Sequence, residues 1–227
     1  MIASALASRA FTARCGPPLL VAVHGVLSGI TQPSWTSDLA HWLWRKASGF
    51  RIIERHYAAG PFPLLNCFFL NPFLSRWLAA ELKPFAEDGA SISFVSHSNG
   101  ADIVVRTIRR LARLGVKVDT AVFIGAAISC DVRRSGIEAL LESGSLGRVI
   151  AYCAADDFVL SSKLTWPNGH LGRLGFRKAG KAYPPDAQLA TRVMTRWSTG
   201  GHSNYFTPER IGDTFTRLAE DLNPIPF

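Results

Sequence analysis

Between Ile92 and Leu111 a strand pattern becomes a helix pattern with almost no chain in between, and few folds accommodate that change. Ile92-Ser93-Phe94-Val95 is a short apolar run suited to a buried strand, and it ends in Ser96-His97-Ser98-Asn99-Gly100. Helical periodicity follows at once, with Val104, Ile108 and Leu111 at i, i+4 and i+7. A turn this tight brings the residues two before and two after its apex close together. Both must be small, as Ser96 and Gly100 are. The apex residue, Ser98, is then lifted above the sheet edge, with the following backbone N–H groups directed at the same spot. Ser-x-Ser-x-Gly alone is a pattern that chance supplies, so its meaning rests on what the chain places beside it.

The surrounding pattern alternates strand and helix, which predicts an α/β fold with a mostly parallel central sheet covered on both faces. Leu19 to Val23 reads as a buried strand running into His24-Gly25. Trp35 to Lys46 reads as a helix, with Leu39, Trp42 and Leu43 on one side, and Phe50 to Glu54 as a second strand. Tyr57 to Pro72 is too broken by proline for regular structure. Phe73 to Ala86 is helical in pattern, interrupted by Pro84. Strands follow at Thr120–Ile124 and Val149–Cys153, with one short helix near Ile137–Leu141 between them. Ser161 to Tyr183 reads as loop, Ala190 to Trp197 as a last strand, and Pro208 to Leu222 as an amphipathic helix. That makes about six strands, flanked by helices in three layers.

A chain of 227 residues suffices for one sizeable core. The expected organisation is an N-terminal arm over residues 1–17 and a single domain over 18–227. No Asp or Glu precedes Asp38, and Met1 to Arg14 is rich in Ala, Ser and Arg, a composition like that of a transit peptide. The long apolar core of a secretory signal is missing, and no apolar run reaches the length of a membrane-spanning helix. A frayed arm on a cytoplasmic protein is the expectation.

The net charge of +8 favours anionic lipid, nucleic acid or an acidic substrate. Much of it sits on Arg106, Arg109, Arg110 and Arg113, which read as a solvated helix face, and no nucleic-acid-binding signature accompanies it, so no nucleic-acid partner is expected. Cys15, Cys67, Cys130 and Cys153 are widely spaced without metal-ligand spacing, and Cys153 reads as a small core residue. No metal and no cofactor is expected. The sequence sets no oligomeric state.

Serine becomes a useful nucleophile only when a base takes its proton and an acid fixes the tautomer of that base. Both residue types recur at later strand ends. Asp156-Asp157-Phe158-Val159-Leu160 follows the strand ending at Cys153, and Gly200-Gly201-His202 follows the last strand. The chain order is Ser98, Asp, His202. At the first strand, His24-Gly25-Val26 supplies a close-approach glycine where two backbone N–H groups, of Val26 and Asn99, would stabilise an oxyanion.

With these pieces in order the chain resembles the α/β-hydrolase superfamily over roughly residues 18 to 222. The elbow usually has glycine where this chain has Ser96. The resemblance implies Ser98 as nucleophile, His202 as base, and Asp157 or Asp156 as acid. Asp157 is preferred, because in family members apolar residues often stand where Val159 and Leu160 follow it. His170, in the Gly-rich stretch Trp166 to Gly172, is the rival base. His97 reads as packing, His24 as a brace of the oxyanion loop, and His41 and His56 as surface or helix-edge residues.

The short interval between the strands at 120–124 and 149–153 leaves room for a reduced cap only. Phe62, Leu64, Leu65, Phe68 and Phe69 would form an apolar acyl-binding wall or simply cover the sheet. The activity expected is hydrolysis of a small-molecule carboxylic ester or thioester through an acyl-enzyme on Ser98. The alternatives are a lipase or phospholipase working at an anionic lipid surface, and a catalytically silent fold used for binding.

Overall fold

The structure, a computed structural model, describes residues 17–25, 35–46, 49–55, 66–161, 169–183 and 190–222. Its strands are β1 (Leu19–Val23), β2 (Arg51–Arg55), β3 (Ile92–His97), β4 (Val118–Ile124), β5 (Leu146–Ala154), β6 (Arg177–Lys178), β7 (Lys181–Ala182) and β8 (Val193–Ser198). The helices are α1 (Trp35–Arg45), α2 (Asn71–Glu87), α3 (Gly100–Arg113), α4 (Ile137–Glu142), α5 (Phe158–Ser161), α6 (Leu171–Leu174) and α7 (Ile211–Leu222). The arm expected over residues 1–17 lies outside the described residues but for its last position.

Six strands pair in the order β2-β1-β3-β4-β5-β8, every pair parallel. Parallel strands need crossovers, and these wrap both faces of the sheet. Alternate side chains therefore feed two cores. Val21, Phe94 and Phe123 pack with α2 and α3 residues such as Leu78, Leu82, Ile108 and Leu111. Leu20, Val95, Val122 and Ile150 pack on the other face with Leu39 and Leu43 of α1 and Phe215 and Leu218 of α7. Each fully buried Leu, Ile or Phe contributes about 1.5–3 kcal/mol, so burial on two faces is what keeps these strands central.

The chain leaves β1 toward β2 and then returns across it to β3. The order thus reverses between β1 and β3, which makes the carboxyl ends of these two strands a topological switch point. In open parallel sheets that is where ligands bind. His24-Gly25 follows β1 and Ser98 follows β3, so both lie at this switch point.

Three expectations need correction. Regular structure begins before Phe73: Asn66–Leu70 forms one π-turn that runs directly into α2, with Pro72 in the first turn of the helix, where its missing N–H costs nothing. Pro84 does not interrupt α2, because it falls in the final turn, where only one hydrogen bond is lost, and the Asp88 N–H still bonds the Pro84 carbonyl at 3.0 Å. The stretch after Ser161 is not all loop. It contains α6 and a small hairpin, β6–β7, turned by Ala179 and Gly180, both with positive φ (49° and 78°) as a type I′ turn requires.

The arginines of α3 also do more than face solvent. Arg106 bonds Asp102 at 2.8 Å, Arg109 bonds the Ser135 carbonyl, and Arg110 reaches Ser75 Oγ and the Pro72 carbonyl, each at 3.3 Å. The Arg106 pair lies within α3, while the ties of Arg109 and Arg110 hold the segment before α4 and α2 against it. No helix among the described residues is long and apolar enough to cross a membrane.

Candidate active site

The turn after β3 has the strain its sequence implies. Ser98 has φ 52°, a left-handed conformation that costs a residue with a Cβ about 1–2 kcal/mol. Backbone bonds hold it there. Its N–H bonds the Ile124 carbonyl at 3.0 Å, and its carbonyl accepts from Ala101 and Ala127 at 3.2 and 3.1 Å. Its neighbours are buried while Ser98 itself is partly open. Asn99 stands at the N-cap position of α3 without a side-chain cap bond, and the first-turn N–H groups of Ala101 and Asp102 bond the Ser98 and Asn99 carbonyls.

Gly100 is required for a different reason from the one the motif suggests. A Cβ at this position would stand 2.7 Å from the His24 carbonyl oxygen and 2.8 Å from that of Val23. It is the backbone at the end of β1 and just after it, rather than Ser96, that excludes a side chain. Gly100→Ala is expected to destabilise the fold by about 1–3 kcal/mol in urea unfolding, despite alanine's higher helix propensity, since two backbone carbonyls stand in its way. Gly25 is equally confined, its Cβ position lying 2.7 Å from that of Ser98.

His202 comes to Ser98 across 104 positions of sequence. Its Nε2 lies 2.9 Å from Ser98 Oγ, and its Nδ1 lies 2.8 Å from Asp157 Oδ2. Asp157 is 1 % exposed and fully engaged, because its Oδ1 accepts the Leu160 N–H at 2.9 Å and so caps α5. Leu160 is buried below it, which gives the apolar position after the acid a packing role; Val159 is half-exposed.

Asp156 points elsewhere. It accepts the N–H groups of Gly200 and Gly201 at 2.7 and 3.2 Å, and these bonds hold its carboxyl below the usual range. It therefore ties down the loop that carries His202. Gly125, with φ 51°, leaves room for the imidazole: a Cβ there would stand 3.3 Å from His202 Nδ1.

The remaining histidines separate clearly. His170 Nδ1 bonds the Leu160 carbonyl, away from Ser98. His24 Nδ1 donates to the Gly25 carbonyl at 2.7 Å, within the segment it was expected to brace. His41 is exposed, and His56 lies outside the described residues. Val26 does too, as do Phe62, Leu64 and Leu65. Phe68 and Phe69 are 64 % and 71 % exposed, so neither covers the sheet. Cys153 is buried, donates to the Leu171 carbonyl at 3.2 Å, and is pushed up to about 12 by burial. No group of metal-ligating side chains occurs among the described residues.

Two contacts are invisible in the sequence. His97 Nε2 donates to the His202 carbonyl at 3.1 Å, which leaves its buried Nδ1 unprotonated and without a partner. Burial first, then the neighbouring His202, lowers its pKa to about 3 from an ordinary 6.5. Between those values the unfolded chain binds a proton that the folded chain refuses, so stability must fall as pH falls through this window. His97→Gln keeps an N–H donor and should flatten that dependence by up to about 1 kcal/mol per pH unit in urea titrations.

The other contact is a reciprocal amide pair. Asn71 and Asn99 exchange hydrogen bonds of 3.0 and 3.1 Å, and Asn71 gives its second N–H to Asp102 at 2.8 Å. Both asparagines are buried. The pair fastens the start of α2 to the residue after Ser98. Its one sequence signal is Asn71-Pro72, which marks a helix start but names no partner.

No family model matches the chain, and no curated protein sequence matches it. Solved structures do resemble it in fold. The RedJ thioesterase of the prodiginine biosynthetic pathway in Streptomyces coelicolor aligns with a TM-score of 0.52 at 13% identity, over 91% of each chain. A putative hydrolase of the alpha/beta superfamily from Xanthomonas campestris aligns with a TM-score of 0.54 at 13% identity, over 90% of this chain and 98% of that one. Carboxyl esterase 2 of the fungus Tuber melanosporum gives 0.50 at 14% identity, over 90% of this chain and 77% of its own. With its parallel six-stranded sheet in this order and such neighbours spanning nine-tenths of its length, the chain has the fold of the α/β-hydrolase superfamily.

Proposed function

We propose that the protein is a serine hydrolase that cleaves a small-molecule carboxylic ester or thioester through an acyl-enzyme on Ser98. The observation that carries this reading is the run of two hydrogen bonds from Ser98 Oγ through His202 to Asp157, at 2.9 and 2.8 Å. His202 Nε2 takes the hydroxyl proton as Oγ bonds to the acyl carbon. The same proton then passes to the departing alcohol or thiol as its bond to that carbon breaks. A water molecule repeats the cycle and releases the acid. Asp157 keeps the Nδ1 proton in place and stabilises the imidazolium. Backbone N–H groups of Asn99 and Val26 are assigned to the oxyanion, each worth about 2.7–4 kcal/mol of transition-state stabilisation.

The neighbours named above include a thioesterase and a carboxyl esterase, in keeping with either bond type. A fold used only for binding has no need of an imidazole held between a serine and a buried carboxylate. Residues 18–227 are taken to act as one domain. The test is pre-steady-state turnover of p-nitrophenyl butyrate. A burst of p-nitrophenol equal to the enzyme concentration is expected, and no turnover above buffer for short esters and thioesters alike would overturn the reading.

A second reading, action at an anionic lipid surface, is favoured by one observation. Phe69, Phe73 and Trp77 recur at i, i+4 and i+8 and are 71 %, 66 % and 49 % exposed, on a chain of net charge +8. An aromatic stripe with surplus cationic charge suits an interface. Turnover should then rise on adding anionic vesicles and not neutral ones; equal rates with both would remove this reading.

A further inference from the structure

Asn71 takes no part in the chemistry given to Ser98, His202 and Asp157, yet it is fully buried and directs both polar atoms of its side chain at the turn that carries Ser98. Asn99 and Asp102 stand three positions apart at the start of α3, so their side chains share one helix face. Asn71, the first residue of α2, meets that face. It donates to Asn99 Oδ1 at 3.0 Å and to Asp102 Oδ2 at 2.8 Å, and its own Oδ1 accepts from Asn99 at 3.1 Å.

The carboxylate sets the direction of every bond in this group. It can only accept, so Asn71 must turn its NH2 toward Asp102. Asn71 Oδ1 then faces Asn99, whose amide has one orientation left. Arg106 completes the group by donating to the same Asp102 oxygen at 2.8 Å. The backbone beside Asn99 is fixed as well. The carbonyl of the Ser98–Asn99 peptide accepts from Ala101 and Ala127 at 3.2 and 3.1 Å. The N–H of that planar peptide points the opposite way, and no acceptor takes it among the described residues.

We infer that Asn71 is a positioning residue for the oxyanion: it fixes the Asn99 side chain and, through it, the N–H assigned above to the charged oxygen. This rests on the reading of Ser98 as the nucleophile. A donor set in place before the substrate arrives stabilises the developing charge without reorganising at the moment of reaction. The effect of Asn71 therefore falls on the transition state and leaves ground-state binding alone.

The test is kcat and KM for p-nitrophenyl butyrate, with inhibition by trifluoromethyl propyl ketone, which carries the same acyl chain. In the ketone adduct Ser98 Oγ bonds the carbonyl carbon, the hydroxyl proton moves to His202 Nε2, and the former carbonyl oxygen bears the negative charge. Asn71→Ala should lower kcat about ten- to hundredfold and leave KM within about twofold. Ketone affinity should weaken by the factor lost in kcat/KM. Asn99→Ala, which keeps the backbone N–H, should do the same, and the double variant should lose no more than either single one, because the two amides act as a unit. The double variant leaves neither amide buried without its partner, so it decides the matter if circular dichroism shows a single variant unfolded. Turnover that survives Ser98→Ala would overturn the reading of the site, and this inference with it. With Ser98 essential, an undiminished kcat in the double variant, a loss carried wholly by KM, or ketone affinity that holds while kcat falls would overturn the inference alone.

Discussion

Ser98→Ala is expected to lower ester turnover by about 10⁴-fold or more while leaving the fold and substrate binding intact. The backbone of the turn is held by bonds from residues 101, 124 and 127, which the side chain does not join. Alanine retains the Cβ, so the strain at φ 52° is unchanged. What disappears is the oxygen 2.9 Å from His202 Nε2. The check is kcat for p-nitrophenyl butyrate beside the urea midpoint of the same sample. A fall in kcat with an unmoved midpoint assigns the loss to chemistry. A variant that keeps wild-type turnover would mean that the acyl group is attacked by something else.

The second large effect is expected from Asp157→Asn, a change of one atom. The Leu160 N–H requires an oxygen at the Oδ1 position, as it is a donor held at 2.9 Å. An asparagine that keeps that bond must turn its amide nitrogen toward His202 Nδ1, where Oδ2 now sits at 2.8 Å. Two donors cannot share that contact, so the imidazole moves its proton to Nε2. In that tautomer it cannot accept the proton of Ser98. The expected fall in kcat is about 10⁴-fold, the size of effect a wrong tautomer produces in serine hydrolysis. Asp156→Asn is the control, because the Asp156 carboxylate bonds the N–H groups of Gly200 and Gly201, where Asp157 bonds His202. Its effect should stay within about tenfold, as loosening of a loop rather than loss of the base. Equal losses in the two variants would contradict the separate roles given to them.

The sequence made the sheet legible because its strands are buried on both faces and read as continuous apolar runs. Leu19 to Val23 occurs as expected, and Val104, Ile108 and Leu111 face the core. The turn from β3 to α3 was legible because so tight a strand-to-helix turn leaves a mark of small residues over a few positions. Contacts made by chain closure left no such mark. The bond from His97 to the His202 carbonyl spans 105 positions, and the pair of Asn71 with Asn99 spans 28. Neither has a local periodicity to reveal it. The β6–β7 hairpin was missed because alanine at position 179 occupies a left-handed turn site where asparagine or glycine is the usual signal. The arginines of α3 looked solvated because a charged helix face has the same pattern whether its side chains meet water or a neighbouring carbonyl.

Reaction of the folded protein with a fluorophosphonate probe, followed by mass mapping of the labelled peptide, tests the central claim most directly. The reagent phosphonylates a serine only where a base removes its proton and fluoride can leave. One phosphonyl group per chain, on Ser98, with labelling greatly slowed in Asp157→Asn, is the predicted result. Folded protein that stays unlabelled, or carries the label on another residue at an undiminished rate in Ser98→Ala, would contradict it.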